Sequence, residues 1–189
     1  MGFKNYRTAP ELFGPLHEQF RFTIDVAASH ANALLPVYCT PDGKFRRVST
    51  APLQANVITA FQDGLNPKSW EGERVWCNPP YDHALGRWVD LANRGIAEMS
   101  VLLLPPSIDT AWFHSLFLMG HTSASVRRRP YYTAIEFEEG WKAGAREVRF
   151  LAGRIPFLLP KDGDEGEVLS VPTKTPRAGN LIVITWGRR

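Results

Sequence analysis

The stretch VWCNPPYD at 75–82 places an amide, two prolines and an aromatic ring directly after an apolar run. Proline has no backbone donor and biases the residue before it away from the helical region, so the backbone from Asn78 to Pro80 is extended and rigid. The side-chain oxygen of Asn78 and the carbonyl oxygen of Pro79 can then converge on one amine. Tyr81 adds a flat face on which a planar ring can stack. The pattern suits recognition of an amine attached to a planar ring.

An amine conjugated to a purine ring is a poor nucleophile because its lone pair is delocalised. Two acceptors on the NH₂ group raise the electron density at nitrogen and favour a tetrahedral geometry, from which the nitrogen can attack an electrophilic methyl group. The alternative is structural: Asn78 caps a turn, the prolines end a strand, and Tyr81 covers the core. This alternative does not explain why all four residue types occur together.

Hydrophobic periodicity predicts the elements that would hold these residues. Residues 9–20 have the apolar spacing of an amphipathic helix, with Pro10 in the first turn, where proline is tolerated. The run SVLLL at 100–104 is typical of a buried parallel strand. Further strands are predicted at 22–26, 37–40, 57–61, 74–77, 146–152 and 180–186. Further helices are predicted at 85–95 and 112–119, and a mobile loop at 160–179.

Strands that alternate with helices predict an α/β fold with a mostly parallel, twisted sheet and helices on both faces. In such sheets, ligands bind beyond the carboxyl ends of the strands. Four predicted strand ends have polar groups: Asp25, Asp63, Asn78, and Ser107 with Asp109. Asp25 could instead cap the next helix, and Asp63 with the following glycine could form a plain turn. Four polar ends at one edge nevertheless favour a binding site.

The composition fits one globular domain over residues 1–189, with 44% hydrophobic and 22% charged residues. Lysine and arginine number 22 against 19 Asp and Glu, and the net charge of +3 permits a nucleic-acid partner without requiring one. Arg127, Arg128 and Arg129 form a basic cluster, suited either to phosphate contacts or to a solvated face. Smaller clusters lie at 46–47 and 188–189.

The two cysteines, Cys39 and Cys77, lack metal-ligand spacing and suit a reducing compartment. The five histidines form no metal-ligand pattern, so no metal is predicted. The amino-terminal residues lack the apolar core of a signal peptide, and no stretch approaches the length of a spanning helix. We therefore expect a soluble protein of the cytoplasm.

A series of sequence blocks resembles the phage-type DNA N6-adenine methyltransferases, a family with the NPPY motif. The blocks are DVAAS at 25–29, FQDGL at 61–65, WEG at 70–72, VWCNPPY at 75–81, WV at 88–89, LLLP at 102–105, DTAWFH at 109–114 and VRFLAGRIPF at 148–157. NPPY alone is moderately specific, because methyltransferases of protein glutamine, cytosine and RNA guanine share it. The order of the blocks is more specific, and they cover most of the chain.

The resemblance implies a Rossmann-like fold that binds S-adenosylmethionine (SAM) and transfers its methyl group to the N6 amine of adenine in DNA. It implies a phage or prophage enzyme without a separate target-recognition domain. The catalytic motif would be Asn78, Pro79, Pro80 and Tyr81. The oligomeric state and the target sequence are not implied.

The resemblance also implies binding residues. The cofactor would contact Thr8, Pro10, Asp25, Ala27, Ser29 and Asp63. Trp112 or Phe113 would form the second wall of the base pocket, unless both are core residues. The DNA phosphates would contact the basic cluster at 127–129.

Two features depart from a general methyltransferase pattern. The turn at 26–29 is Val-Ala-Ala-Ser rather than glycine-rich, and Asp42 is the one carboxylate that could bind the cofactor ribose after the second strand. Two other functions stay open. One is methylation of a different planar amine, such as an RNA base, cytosine N4 or a protein glutamine, and the other is a catalytically silent domain that binds nucleic acid.

Overall fold

The computed structural model describes the following residues: 7–29, 32–39, 63–107, 109–115, 146–151, 154–155, 157–160, 170–172, 177–178 and 181–187. In these residues the helices are α1 (Pro10–Phe20), α2 (Leu85–Asn93) and α3 (Ala111–Ser115), with a 3-10 turn at Pro67–Ser69. The strands are β1 (Arg7–Thr8), β2 (Ile24–Asp25), β3 (Arg74–Cys77), β4 (Met99–Leu104), β5 (Arg146–Phe150), β6 (Arg154–Ile155), β7 (Phe157–Pro160), β8 (Ser170–Pro172), β9 (Arg177–Ala178) and β10 (Leu181–Trp186).

Among the described residues, the central sheet has five strands in the order β2-β3-β4-β10-β5. The pairings β2–β3 and β3–β4 are parallel, whereas β10 is antiparallel to both of its neighbours, β4 and β5. Four strands therefore run in one direction, and β10 runs against them. The predicted α/β class is confirmed, but the sheet is mixed where a mostly parallel one was predicted, because two of these four pairings are antiparallel. The apolar run of β10 shows that the strand is buried, and burial does not specify a strand's direction.

The side chains of the central strands alternate between two cores, as the period of two residues requires. On β3, Val75 and Cys77 belong to one core, and Trp76 belongs to the other. The first, the α2 core, also contains these buried residues of α2 and α3: Leu85, Trp88, Val89, Leu91, Ala92, Trp112 and Phe113. The second, the α1 core, contains Phe13, Leu16 and Phe20 of α1. Helices thus pack on both faces, as predicted.

The predicted elements agree closely with the structure where their stop signals are local. Helix α1 begins at Pro10 and ends before Arg21, which has a left-handed φ of 52° and donates its backbone N–H to the His17 carbonyl at 2.8 Å. The strand predicted at 22–26 is shorter, since only Ile24–Asp25 pair as a strand. The strand predicted at 57–61 lies outside the described residues.

The described residues also form two smaller sheets. The first has the order β1-β7-β8 and the second pairs β6 with β9, both antiparallel. The prediction of a loop over 160–179 is wrong in part, because Ser170–Pro172 and Arg177–Ala178 form strands β8 and β9. The Gly, Asp and Glu residues at 162–167 dominate the local signal, whereas β8 forms because it pairs with β7. Pro172 is tolerated because β8 is an edge strand.

Among the described helices, none combines the length and the apolar character that crossing a membrane requires.

Candidate functional site

The carboxyl ends of β2, β3 and β4 lie at one edge of the sheet because the three strands are parallel and adjacent. Asp25 pairs with Trp76 of β3 on one side and forms a parallel bridge with Tyr38 on the other. After β2, the chain therefore pairs first on one flank of this strand, at Tyr38, and later on its other flank, as β3. This reversal is a topological switch point, where open α/β sheets bind ligands. Asp25 and Asn78 stand at the two strand ends that border it.

The side-chain amide of Asn78 is hydrogen-bonded at its nitrogen end. Its Nδ2 donates a hydrogen bond to Oγ1 of Thr8 at 3.1 Å, across 70 residues of sequence. In the part of the chain that the structure describes, neither Asn78 Oδ1 nor the carbonyl oxygen of Pro79 accepts a hydrogen bond. Asn78 is half-buried, directly beyond the carboxyl end of β3. Both oxygens therefore lack a partner among the described residues, whereas the donor end of the Asn78 amide is occupied by Thr8.

Tyr81 is tied to the neighbouring strand. Its hydroxyl donates to the Leu103 carbonyl on β4 at 3.1 Å, and its ring packs against the α2 core while staying half-buried. The ring consequently has a preferred orientation before any ligand binds. Pro79 is buried and Pro80 is half-buried, which leaves the NPPY segment partly exposed.

Asp25 is a buried carboxyl group at the end of β2. Its Oδ1 accepts from the Ala27 N–H and its Oδ2 from the Leu34 N–H, each at 3.3 Å. Removal from water raises the pKa of Asp25 from 3.8 to about 7, although these two N–H groups and the charge of Arg7 act to lower it. Asp25 therefore holds the loop after β2, which is a structural role at the edge where the cofactor was predicted.

The turn at 26–29 is held at Ser29 by hydrogen bonds to the side chain of Asn32. Oδ1 of Asn32 accepts from the Ser29 N–H at 2.5 Å and from the Ser29 hydroxyl at 2.9 Å. Ala27 stays half-buried, and Ala28 is buried. The hydroxyl of Ser29 is therefore engaged within the loop, while the backbone around Ala27 lies at the site edge.

Asp63 reaches the same edge through the glycine that follows it. A Cβ atom at Gly64 would lie 1.8 Å from the Val26 carbonyl oxygen and 2.9 Å from the Trp88 ring, so only glycine fits against the end of β2. The Gly64 carbonyl accepts from Trp70 Nε1 at 2.7 Å. Asp63 itself is exposed, and its Oδ1 accepts from the Leu65 N–H at 2.8 Å. The turn interpretation and the site interpretation of Asp63 are therefore compatible.

Arg7 is a residue that the sequence interpretation missed. Its Nε is buried and has no hydrogen-bond partner among the described residues, and its charge acts on Asp25. In the same two-residue strand, the Thr8 hydroxyl oxygen accepts a hydrogen bond from the Asn78 side chain. Strand β1 thus reaches the ends of both β2 and β3. No local signal marks Arg7, because its position depends on the pairing of β1 with β7.

The other predicted residues lie in different settings. Pro10 is exposed at the start of α1, next to Thr8 and the buried Ala9. Trp112 and Phe113 are only 7% and 9% exposed in the α2 core, so in this structure they occupy core positions. Asp42 and the basic cluster at 127–129 lie outside the described residues.

The cysteines beside the site are poor nucleophiles. Burial raises the pKa of Cys39 to about 11 and the pKa of Cys77 well above its usual value. Within the described ranges, no three His, Cys, Asp or Glu side chains form a group that could hold a metal ion.

A scan against protein-family models found no match to this chain, and a search of curated proteins found none either.

Proposed function

We propose that the chain is a SAM-dependent methyltransferase that modifies the N6 amine of adenine in DNA. The observation that supports this most directly is the pair of acceptors at the end of β3. Asn78 Oδ1 and the Pro79 carbonyl have no hydrogen-bond partner in the described residues, while Asn78 Nδ2 is engaged by Thr8. Two such acceptors suit an NH₂ group, which has two N–H donors.

The chemistry follows from that pair. Each acceptor takes one N–H of the adenine amine, so electron density rises at nitrogen and the lone pair turns out of the ring plane. Bound SAM would supply an electrophilic methyl group. The methylated amine is acidic once alkylated, so its extra proton can pass to solvent without a dedicated base. Tyr81 would hold the extruded base by stacking.

Groups at the switch point support the choice of SAM as the cofactor. The buried Nε of Arg7 is a donor that lacks a partner in the described residues, and the carboxylate of the methionine part of SAM would satisfy it. The turn at 27–29 would lie beneath the cofactor, and Asp63 would approach its adenine. Thr8 and Pro10 belong to the segment beside the methionine part.

DNA is the proposed substrate because the resemblance in block order and the basic cluster at 127–129 both favour it. The same acceptor pair would also serve cytosine N4, an RNA base or a protein glutamine, because each presents an NH₂ group on a planar system. The substrate must therefore be tested directly.

The test is to incubate the chain with methyl-labelled SAM and unmethylated duplex or single-stranded DNA, digest the DNA to nucleosides and identify the labelled base. RNA of the same sequence and an unmethylated bacterial protein extract serve as competing substrates. Label in N6-methyladenine supports the proposal if the Asn78→Ala control transfers far less. That control counts only when the variant is folded and binds SAM as the wild type does.

Label in another base or in glutamine would contradict the DNA adenine assignment. SAM binding without transfer to any substrate, or no SAM binding at all, would instead favour the catalytically silent domain.

A further inference from the structure

We propose that Thr8 is a positioning residue that sets which end of the Asn78 amide faces the substrate. The inference rests on the proposed function and assigns Thr8 a role apart from cofactor contact. The two ends of an asparagine amide have nearly the same shape, but one is a donor and the other an acceptor. If the amide turned over, an N–H group would meet the substrate amine, and two donors would oppose each other.

The hydrogen bond from Asn78 to Thr8 opposes that turnover. The Nδ2 to Oγ1 distance is 3.1 Å, which suits an N–H donor better than an O–H donor, whose bonds are centred at about 2.7–2.8 Å. Nδ2 is thereby directed toward Thr8, and Oδ1 becomes the end that can accept from a ligand. The carbonyl of Pro79 supplies the second acceptor on rigid backbone.

Thr8 can perform this role because it is itself held firmly. It is 1% exposed and pairs in β1 with the buried Phe157 of β7. A β-branched side chain has few χ1 choices, so the pairing of the backbone also sets the hydroxyl position. The small sheet β1-β7-β8 therefore connects a segment near residue 157 to the NPPY motif.

The test compares Thr8→Val, which removes the hydroxyl but keeps the branched shape, with Thr8→Ser, which keeps the hydroxyl. At saturating SAM and DNA, we expect Thr8→Val to lower the single-turnover rate by about 10–100-fold, as misplaced catalytic groups do. Thr8→Ser should stay within a few-fold of wild type. In an Asn78→Ala background, Thr8→Val should have no further effect, because the group that it positions is gone.

A second readout does not depend on catalysis. In protein labelled with ¹⁵N-asparagine, the side-chain NH₂ signals of Asn78 are assigned by their loss in Asn78→Ala. We expect Thr8→Val, but not Thr8→Ser, to shift these signals and to lower their heteronuclear NOE, since the amide gains rotational freedom.

Retained transfer in a folded Thr8→Val protein would overturn the positioning role alone. An equal loss in the Asn78→Ala background would also overturn it, because Thr8 would then act through another group. If the wild-type chain transfers no methyl group to any substrate, the proposed function and the positioning role both fail. The NMR signals then show whether the Thr8–Asn78 contact itself exists.

Discussion

At the scale of single residues, the polar groups at the site edge differ in whether their oxygen atoms already accept hydrogen bonds. Asn78 and Pro79 present oxygen atoms without hydrogen-bond partners in the described residues, whereas both carboxylate oxygens of Asp25 are engaged by backbone N–H groups. The first pair is available to a ligand, and the second holds a loop. Asp25 is buried, so its protonation state contributes to stability, while Asn78 has no protonation state to change. The two polar groups can therefore be separated by experiment.

Asn78→Ala should lower single-turnover methyl transfer by roughly a hundredfold or more, with SAM affinity near normal, because it removes one preorganised acceptor. The matched control is Asn93→Ala, since Asn93 is also half-buried and makes one side-chain hydrogen bond, to the Ser115 carbonyl at 3.3 Å. That change should reduce stability by about 1 kcal/mol and keep the rate. A near wild-type rate for folded Asn78→Ala protein would falsify the mechanism.

Tyr81→Ala should weaken engagement of the base by about 1–3 kcal/mol, the usual contribution of one stacked base. Tyr81→Phe keeps the ring and removes the hydroxyl that donates to the Leu103 carbonyl, so stability should fall by about 1 kcal/mol while much of the DNA affinity is retained. Fluorescence titration with DNA and thermal unfolding separate the two effects. Equal DNA affinity of all three proteins would mean that Tyr81 only covers the core.

Asp25 should give the free energy of unfolding a pH dependence. Its folded pKa is raised from 3.8 to about 7, so between these values the folded state holds a proton that the unfolded chain has released. The free energy of unfolding should therefore fall as the pH rises from about 4 to about 7 and stay level above that, by roughly 1–4 kcal/mol in total. Below about pH 4 both states are protonated, and the stability is fully present.

Urea unfolding of wild type and Asp25→Asn over this pH range measures the effect. The asparagine variant loses stability at every pH, because an amide has one acceptor oxygen for the two N–H groups of Ala27 and Leu34. It should lack the decline that Asp25 causes. Identical pH profiles for the two proteins would contradict the raised pKa.

At the scale of elements, the site depends on segments that lie against strand ends. The 63–65 turn packs against the end of β2 at Gly64. The indole N–H of Trp70, which follows the 3-10 turn, donates a hydrogen bond to the Gly64 carbonyl. Strand β1 approaches the ends of β2 and β3 through Arg7 and Thr8. The sheet thus supplies a rigid edge, and short segments from both directions along the chain complete it.

Gly64→Ala should displace this turn, because the new Cβ would lie 1.8 Å from the Val26 carbonyl oxygen, a backbone atom that cannot easily move. We expect a loss of about 1–3 kcal/mol in stability and a weaker affinity for SAM, since Asp63 moves with the turn. Calorimetry of SAM binding and thermal unfolding measure the two effects.

Gly14→Ala is the matched control, because Gly14 lies inside α1 and a Cβ there meets no atom within 4 Å. This change should raise stability by about 0.5–1 kcal/mol and leave SAM affinity unaltered. Unchanged SAM affinity in folded Gly64→Ala protein would separate the 63–65 turn from the cofactor site.

At the scale of the whole molecule, the net charge of +3 is small, so the proposed attraction to DNA requires a favourable distribution of charge. The cluster at 127–129 is the densest basic run of the sequence. Phosphate contacts release counterions and make the affinity salt-dependent, whereas a solvated face does not. The salt slope therefore distinguishes the two interpretations of this cluster.

Replacing Arg127, Arg128 and Arg129 by Gln should reduce the slope of log affinity against log salt by up to about 3, near 0.9 for each phosphate that an arginine no longer neutralises. The control removes the same charge from exposed residues elsewhere, with Lys68, Arg87 and Arg94 replaced by Gln. Binding isotherms at several salt concentrations give the slopes. If both triple variants change the slope equally, only the total charge matters and the cluster does not bind phosphates specifically.

The elements whose signals are local could be predicted from the amino-acid sequence. Strand β3 was predicted at its observed bounds of 74–77, because an apolar run and two prolines define it from within. Helix α1 was predicted to within one residue, since its apolar spacing and Pro10 are also local signals. The grouping of Asp25 and Asn78 at one sheet edge followed from the same reasoning, because parallel strands end together.

The remaining features could not be predicted without the folded structure. Several features depend on residues far away in sequence: the reversed direction of β10, strand β8 within the predicted loop, the hydrogen bond from Asn78 to Thr8, and the charge of Arg7 acting on Asp25. Trp112 and Phe113 have the composition of either a pocket wall or a core, and packing against the α2 core selects the core position. Periodicity specifies which face of an element is apolar, but it contains no information about which distant polar group a side chain will meet. The physical reason is that those contacts form only when the folded backbone brings the two segments together.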